Sequence, residues 1–142
     1  MTPVDRAVVT RKLQAIVKYL TALQPSAALD LEIYLNDFNQ QLISERLLHL
    51  IVEAAVDTNS YLLVCFGQPP PETYFASFIE AGRYGLLSPE LAQQLAPSAG
   101  LRNRLVHEYD AIDPLIVFRA IPLALELYQE YMKEIQVYLE EQ

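Results

Sequence analysis

Apolar residues recur along this chain at three- and four-residue steps, the spacing that puts them on one face of an α-helix. Over residues 4 to about 23 the set is Val9, Leu13, Ile16, Val17 and Leu20, with Arg11, Lys12 and Lys18 largely off that face. Pro25-Ser26 is expected to end this helix and offer a new N-cap, leading into a short helical piece over residues 27–34. Asn36 or Asp37 then caps a long helix reaching about residue 66, with Leu42, Leu47, Leu50, Ile51, Ala54, Ala55, Leu62 and Val64 as its apolar set. Gly67 is a natural stop, and Pro69-Pro70-Pro71 cannot continue a helix because proline has no amide donor. That tract reads as a rigid connector rather than a peptide-recognition element.

A short helix is predicted over residues 73–85, with Tyr74, Phe75, Phe78 and Ile79 apolar. Ser88-Pro89-Glu90 is a strong helix start, serine as cap and proline in the first turn. Pro97 breaks that helix and Ser98 restarts one. Asp113-Pro114 repeats the cap-plus-proline signal and opens a last long helix to about residue 140. Its inward set is Leu115, Phe118, Ile121, Leu125, Tyr128, Met132, Ile135 and Leu139, with a kink expected at Pro122. No segment alternates convincingly as a strand does, and no internal repeat appears. The expected architecture is all-α: an antiparallel bundle of four to five helices forming a single domain over residues 1–142.

Composition sharpens this picture. The 142 residues are 52% hydrophobic, with no Trp and 4 Gly, which suits a helical chain with a large buried surface or an oligomer. Nine Tyr are present, some of them suited to an interface. The single cysteine, Cys65, excludes an internal disulfide and fits a reducing compartment; within Leu62-Leu63-Val64-Cys65-Phe66 it reads as a core residue rather than a nucleophile. The N-terminus has no signal-peptide pattern, and His49, Glu53, Arg119 and Glu126 interrupt the most apolar stretches. No membrane span is therefore expected, and the chain reads as cytoplasmic. The net charge of −8 argues against a general nucleic-acid binder, since phosphate contacts dominate such affinity. Any RNA would need a local basic patch.

Candidate chemistry concentrates in Leu101-Arg102-Asn103-Arg104-Leu105-Val106-His107-Glu108-Tyr109-Asp110. Arginine can clamp a phosphate with parallel hydrogen bonds, and histidine can take or give a proton near neutral pH. Together Arg102 and His107 could promote attack of a ribose 2′-hydroxyl on the adjacent phosphate. Five residues apart on a regular helix, however, the two side chains diverge by about 140°. Either the helix ends near His107, or a two-fold dimer brings one Arg and one His from each chain around a shared cleft. The bland alternative is a solvated helix end with an incidental histidine.

Elsewhere the sequence is less informative. His49, within Leu47-Leu48-His49-Leu50-Ile51, is expected to be structural or to sit at an interface. Asp57-Thr58-Asn59-Ser60 reads as a solvent face, with the option that Asp57 or Asn59 lines a cleft opposite the Arg–His segment. Two His, one Cys and no paired-ligand spacing give no metal site. No cofactor is expected, and no glycine-rich phosphate loop or nucleophilic serine setting is found.

The stretch from Gly100 to Tyr109 resembles the Arg-Asn-x-Leu-Val-His-x-Tyr signature of HepT-like toxins in the HEPN superfamily. Glu53-Ala54-Ala55-Val56-Asp57, Tyr84-Gly85-Leu86-Leu87 and Ile112-Asp113 agree with that likeness. The resemblance implies a HEPN-type helical bundle that dimerises with its cleft at the two-fold interface. It implies the toxin of a type VII-like toxin–antitoxin pair, a metal-independent RNA endonuclease acting on tRNA or mRNA through Arg102 and His107. It also implies a minimal nucleotidyltransferase antitoxin, MntA-like, that transfers AMP from ATP to Tyr109. In that frame His107 is the general acid/base and Arg102 the phosphate stabiliser. Asn103 would orient the histidine or a phosphate, Arg104 would add an RNA contact, and Tyr109 would be the regulatory acceptor. Glu108 and Arg104 depart from the usual motif, and Pro97 shortens the helix before it. The alternative is a catalytically silent helical subunit that binds a nucleotidyltransferase; a purely structural bundle leaves the polar motif without a purpose.

Overall fold

Side-chain caps mark where the chain turns into helix. Asp5 accepts from the Ala7 amide at 3.0 Å, Asp37 from Gln40 at 3.1 Å, Thr73 from Ala76 at 3.0 Å, Ser88 from Leu91 at 3.3 Å and Asp113 from Leu115 at 2.9 Å. Each satisfies an amide that the first turn cannot pair internally. The computed structural model describes residues 2–108 and 110–142. Among them the helices are α1 (Arg6–Ala27), α2 (Leu31–Leu35), α3 (Phe38–Cys65), α4 (Tyr74–Arg83), α5 (Pro89–Leu95), α6 (Pro97–His107) and α7 (Pro114–Glu140). The expected all-α bundle thus has three long helices, α1, α3 and α7, and four short ones closing it, seven among the described residues rather than four to five.

Two glycines stop helices, Gly67 as the sequence suggests and Gly85 in addition. After α3, Gly67 adopts φ 99°, and the amides of Gly67 and Gln68 return to the carbonyls of Val64 and Leu63 at 3.0 and 2.9 Å. Gly85, φ 82°, ends the α4 turn, with the Leu86 amide on the Ala81 carbonyl at 2.9 Å. Both are left-handed caps that a side chain would strain.

Prolines act less abruptly than expected. α1 runs through Pro25 to Ala27. Ser26 is not an N-cap but a buried side chain donating to Gln40 Oε1 at 2.9 Å, which ties α1 to α3. In the last turn of a helix Pro25 removes one amide bond only, and packing of Leu23 and Ser26 outweighs that loss. α7 continues across Pro122 as a single helix, as expected of a proline within it. Pro97, rather than Ser98, is the first residue of α6.

α3 is the central helix, packed against α1, α4, α6, α7 and the short α2. It is apolar nearly all round, so its period does not reveal one face. Leu42 and Val64, expected inward, are exposed, whereas Leu48, Val52, Val56, Leu63 and Cys65 are buried with Ile51, Ala55 and Leu62. α3 is also long and apolar enough to cross a membrane by length and composition, contrary to expectation. Here it is the core helix of the bundle, with half of that window buried. Elsewhere the predicted faces hold better. Val9, Leu13, Ile16 and Leu20 of α1 are inward, with Val17 turned out; Ile121, Tyr128, Ile135 and Leu139 of α7 are inward too, whereas of the α4 set Phe78 is buried and Phe75 and Ile79 are exposed.

The polar run in α3 is a correction. Thr58 and Asn59 are fully buried and line no cleft. Asn59 Oδ1 accepts from the Tyr131 hydroxyl at 2.6 Å, and its Nδ2 donates to Ser77 Oγ at 3.2 Å. Thr58 donates back to the Ala54 carbonyl at 2.8 Å. Asp57 alone faces solvent, 3.9 Å from Lys12 Nζ. Tyrosines serve the core rather than only a surface: Tyr34, Tyr128 and Tyr131 are enclosed, with hydroxyls paired to Ser44, Ser98 and Asn59. Burial drives the Tyr128 and Tyr131 phenols well above their ordinary range, so both remain protonated donors.

Because the Tyr131 hydroxyl serves both Asn59 and the Ala55 carbonyl, Tyr131→Phe leaves a buried amide oxygen unpaired. Denaturant unfolding is expected to show a loss of about 1–3 kcal/mol with unchanged helix content; a neutral effect would contradict this account of the core.

Candidate active site on helix α6

α6 is a regular helix whose last residue is His107, with Glu108 as its C-cap. The helix thus ends near His107, as one of the two expected geometries has it, but the histidine is still its last helical residue and is not freed on a turn. Leu105 is buried and anchors this turn, while Asn103, Arg104, His107 and Glu108 are exposed. Arg104 and His107 occupy the last turn, where a cation is favoured by the helix dipole. Arg104 Nε lies 3.9 Å from Glu108 Oε2, a solvent-screened pair of little energetic weight.

Arg102 points elsewhere. Its Nε and Nη2 donate to one oxygen of Glu53, Oε1, at 3.0 and 2.7 Å, and its Nη1 donates to Asn103 Oδ1 at 3.3 Å. The guanidinium carbon lies 4.1 Å from the centre of the Tyr74 ring, close enough for a cation–π contact. Asn103 thus contacts Arg102 rather than the histidine. The structure does not bring Arg102 and His107 together: no hydrogen bond joins them within the chain, as expected for side chains that diverge on a continuous helix.

Glu53 is the member that the motif did not reveal. Besides Arg102 it receives the Tyr74 hydroxyl at 2.7 Å on both oxygens and His49 Nε2 at 3.0 Å on Oε1. Burial alone would raise this carboxyl. The hydrogen bonds from Tyr74, Arg102 and His49, with the charge of Arg102, outweigh it and hold the carboxyl below its usual range. Burial, and then the hydrogen bond to Glu53, push the Tyr74 phenol up to about 12. Tyr74 therefore stays protonated as a donor. The spacing of His49 and Glu53, four apart on α3, was the available signal for this cluster. Nothing in the sequence, however, tied them to α6.

Tyr109 lies outside the described residues. Among the described residues, no three His, Cys, Asp or Glu side chains group to hold a metal ion. Beside α6 an apolar groove of about 610 Å³ runs between α3, α6 and α7, lined by Leu48, Val52, Leu101, Leu123 and Tyr128, with Arg104 at its edge.

A family profile described as Ribonuclease HepT-like matches residues 5–135. The chain belongs to the HepT-like ribonuclease family. Consistent with this, it is 48% identical over 139 residues, 98% of this chain and 95% of the other, to a protein of Aphanizomenon flos-aquae named tRNA nuclease HepT. The fold is that of a tri-AMPylated HEPN toxin of Shewanella oneidensis solved in complex with an MNT antitoxin. That chain aligns with TM-score 0.82 at 22% identity, over 92% of this chain and 97% of its own. YutE of Bacillus subtilis, described as a cytosolic protein of unknown function, aligns with TM-score 0.85 at 22% identity, over 99% of this chain and 94% of its own. The all-α HEPN-type bundle expected from the motif is therefore the fold of the family.

The lowered Glu53 carboxyl has a definite pH signature. A carboxyl depressed in the folded state stabilises above its ordinary range, and that stability is lost as pH falls through the depressed value. Glu53→Gln is expected to lower Tm at pH 7, with the gap to wild type closing below about pH 4. An equal gap at both pH values would refute the charge pairing.

Proposed function

We propose that this member of the HepT-like family cleaves RNA, tRNA before mRNA, as the toxin of a toxin–antitoxin pair. The observation that carries the reading is the arrangement of Arg102. Of the five guanidinium N–H groups, three are committed, to Glu53 twice and Asn103 once; two are left to clamp a phosphate. His107 stands exposed at the end of the same helix. The tRNA nuclease of A. flos-aquae supports tRNA as the substrate class.

Arg102 neutralises charge on the phosphate as it builds, and an imidazole at His107 exchanges a proton with the reacting oxygens. The 2′-hydroxyl is the nucleophile, so DNA binds without being cut. Because Arg102 and His107 diverge in one chain, a second copy completes the cleft, each contributing across a two-fold axis. Arg104, exposed beside them, adds an RNA contact. A minimal nucleotidyltransferase is the neutralising partner, supported by the AMPylated toxin–antitoxin complex of like fold. It places AMP on Tyr109. Each AMP adds a negative phosphodiester and bulk beside a site that must accept RNA phosphate, which repels and blocks it.

One observation favours a second reading, a catalytically silent subunit of the nucleotidyltransferase complex: Glu53 already neutralises Arg102 within the chain. That reading requires a stable complex with no RNA cleavage and no toxicity.

Arg102→Ala and His107→Ala are each expected to abolish tRNA cleavage and toxicity while the protein stays folded and keeps its oligomeric state by light scattering. Full cleavage by both variants would end the mechanism. Intact mass after incubation with ATP and the partner should rise by whole AMP units. A rise that persists in Tyr109→Phe would reassign the acceptor.

A further inference from the structure

Cleavage by a 2′-hydroxyl needs two proton transfers, one from the nucleophile and one to the leaving 5′-oxygen. The chain has two histidines, and one of them, His49, is hydrogen-bonded to the very oxygen that holds Arg102. His49 Nε2 and Arg102 Nη2 meet Glu53 Oε1 at 3.0 and 2.7 Å. The imidazole therefore lies beside the guanidinium, on α3, at the place where α6 delivers its phosphate-binding cation.

The tautomer follows from the partners. Arg46 Nη1 lies 3.3 Å from His49 Nδ1, and arginine has no acceptor. Nδ1 is then the unprotonated nitrogen, and Nε2–H donates to Glu53. This is the arrangement of a histidine base oriented by a carboxylate, its Nδ1 lone pair accepting from the exposed Arg46 side chain, which swings aside to let a substrate hydroxyl reach it. The charged and titratable groups in contact around it are Arg46 and Glu53 on α3, Tyr74 on α4 through Glu53, and Arg102 on α6. None of the others can take a proton at neutral pH. Glu53 is held as a carboxylate by three donors, Tyr74 keeps its proton, and the arginines are permanent cations.

We propose that His49 is a second catalytic residue of the RNA-cleaving site: its Nδ1 takes the 2′-hydroxyl proton while His107 protonates the leaving 5′-oxygen. The inference rests on the ribonuclease reading above and deepens it. The O2′–H bond breaks, and its proton passes to Nδ1. The O2′–P bond forms as P–O5′ breaks, and His107 gives its proton to O5′. The products are a 2′,3′-cyclic phosphate and a 5′-hydroxyl end; solvent then takes the extra proton from His49 and replaces the one lost by His107. Arg102 faces the phosphorus between them, with His107 supplied by the same chain or by the second copy.

The test compares His49→Ala, His49→Gln and His107→Ala on tRNA and on a short RNA whose scissile 5′-oxygen is replaced by sulfur. A thiolate leaves without a proton, so this substrate dispenses with the acid but not the base. His49→Gln keeps an N–H for Glu53 and controls for folding. Both His49 variants are expected to lose about 10²–10⁴-fold in kcat with little change in KM or Tm. They should also lose the acidic limb of the pH–rate profile. Added imidazole should restore His49→Ala. The sulfur substrate should rescue His107→Ala and leave the His49 variants slow. Wild-type kcat in His49→Gln, or a loss confined to KM and Tm that imidazole does not repair, would reduce His49 to a structural tie. No cleavage by wild-type protein would remove the ribonuclease reading and this inference together. That result is distinct from a cleaving wild type with an indifferent His49.

Discussion

Glu53 places a carboxylate where α3, α4 and α6 meet, and one side chain from each helix donates to it: His49, Tyr74 and Arg102. The carboxylate is only partly exposed, so its interactions are less screened than those of a surface pair. An arginine in such a place loses hydration and would be costly without its partner. The ion pair and the face of Tyr74 together fix the guanidinium in one plane. The motif helix is thereby clamped to the central helix at the level of its first cation, while its last turn projects free. Stability and chemistry share the same few atoms.

The core behind this edge explains why α3 can offer a carboxylate and a histidine there. α3 is apolar almost all round and is covered on several sides. Its buried polar groups are each paired: Asn59 with Tyr131 and Ser77, Thr58 with its own helix carbonyl, Ser44 with Tyr34. Directional bonds at those points restrict how α3 can rotate against α4 and α7, where interchangeable apolar contacts would not. Rotation of α3 by one position would move Glu53 off α6. The hydroxyls of enclosed tyrosines thus serve the site indirectly, by fixing the register of the helix that carries it.

The same geometry sets what one chain can do. A regular α6 sends Arg102 toward α3 and leaves His107 at the exposed end. The proposed second copy and the proposed role of His49 answer the same deficit, a phosphate-binding cation without a proton-transfer group from its own motif in contact. They are compatible: one concerns the leaving-group side of the phosphorus, the other the nucleophile side.

Much of the fold was legible because its signals are local. Caps at Asp37, Ser88 and Asp113, the stop at Gly67, and the stripes of α1 and α7 depend on residues within one or two turns. The motif around Arg102 and His107, too, is contiguous, and angular spacing showed that the two side chains diverge on a regular helix. Pro25 and Ser26 misled because tertiary packing overrode a local breaker. Thr58 and Asn59 misled because polar side chains in an apolar helix look like a solvent face until a partner such as Tyr131, 72 residues away, is known. The sequence by itself determined the helical class, the family and the identity of the cationic segment. Only the tertiary structure decided that Arg102 rests on Glu53 and Tyr74, and that His49 rather than His107 is its neighbour. The physical reason is separation along the chain: Glu53 and Arg102 are 49 positions apart, and an all-round apolar helix carries no pattern that says which of its faces will meet them.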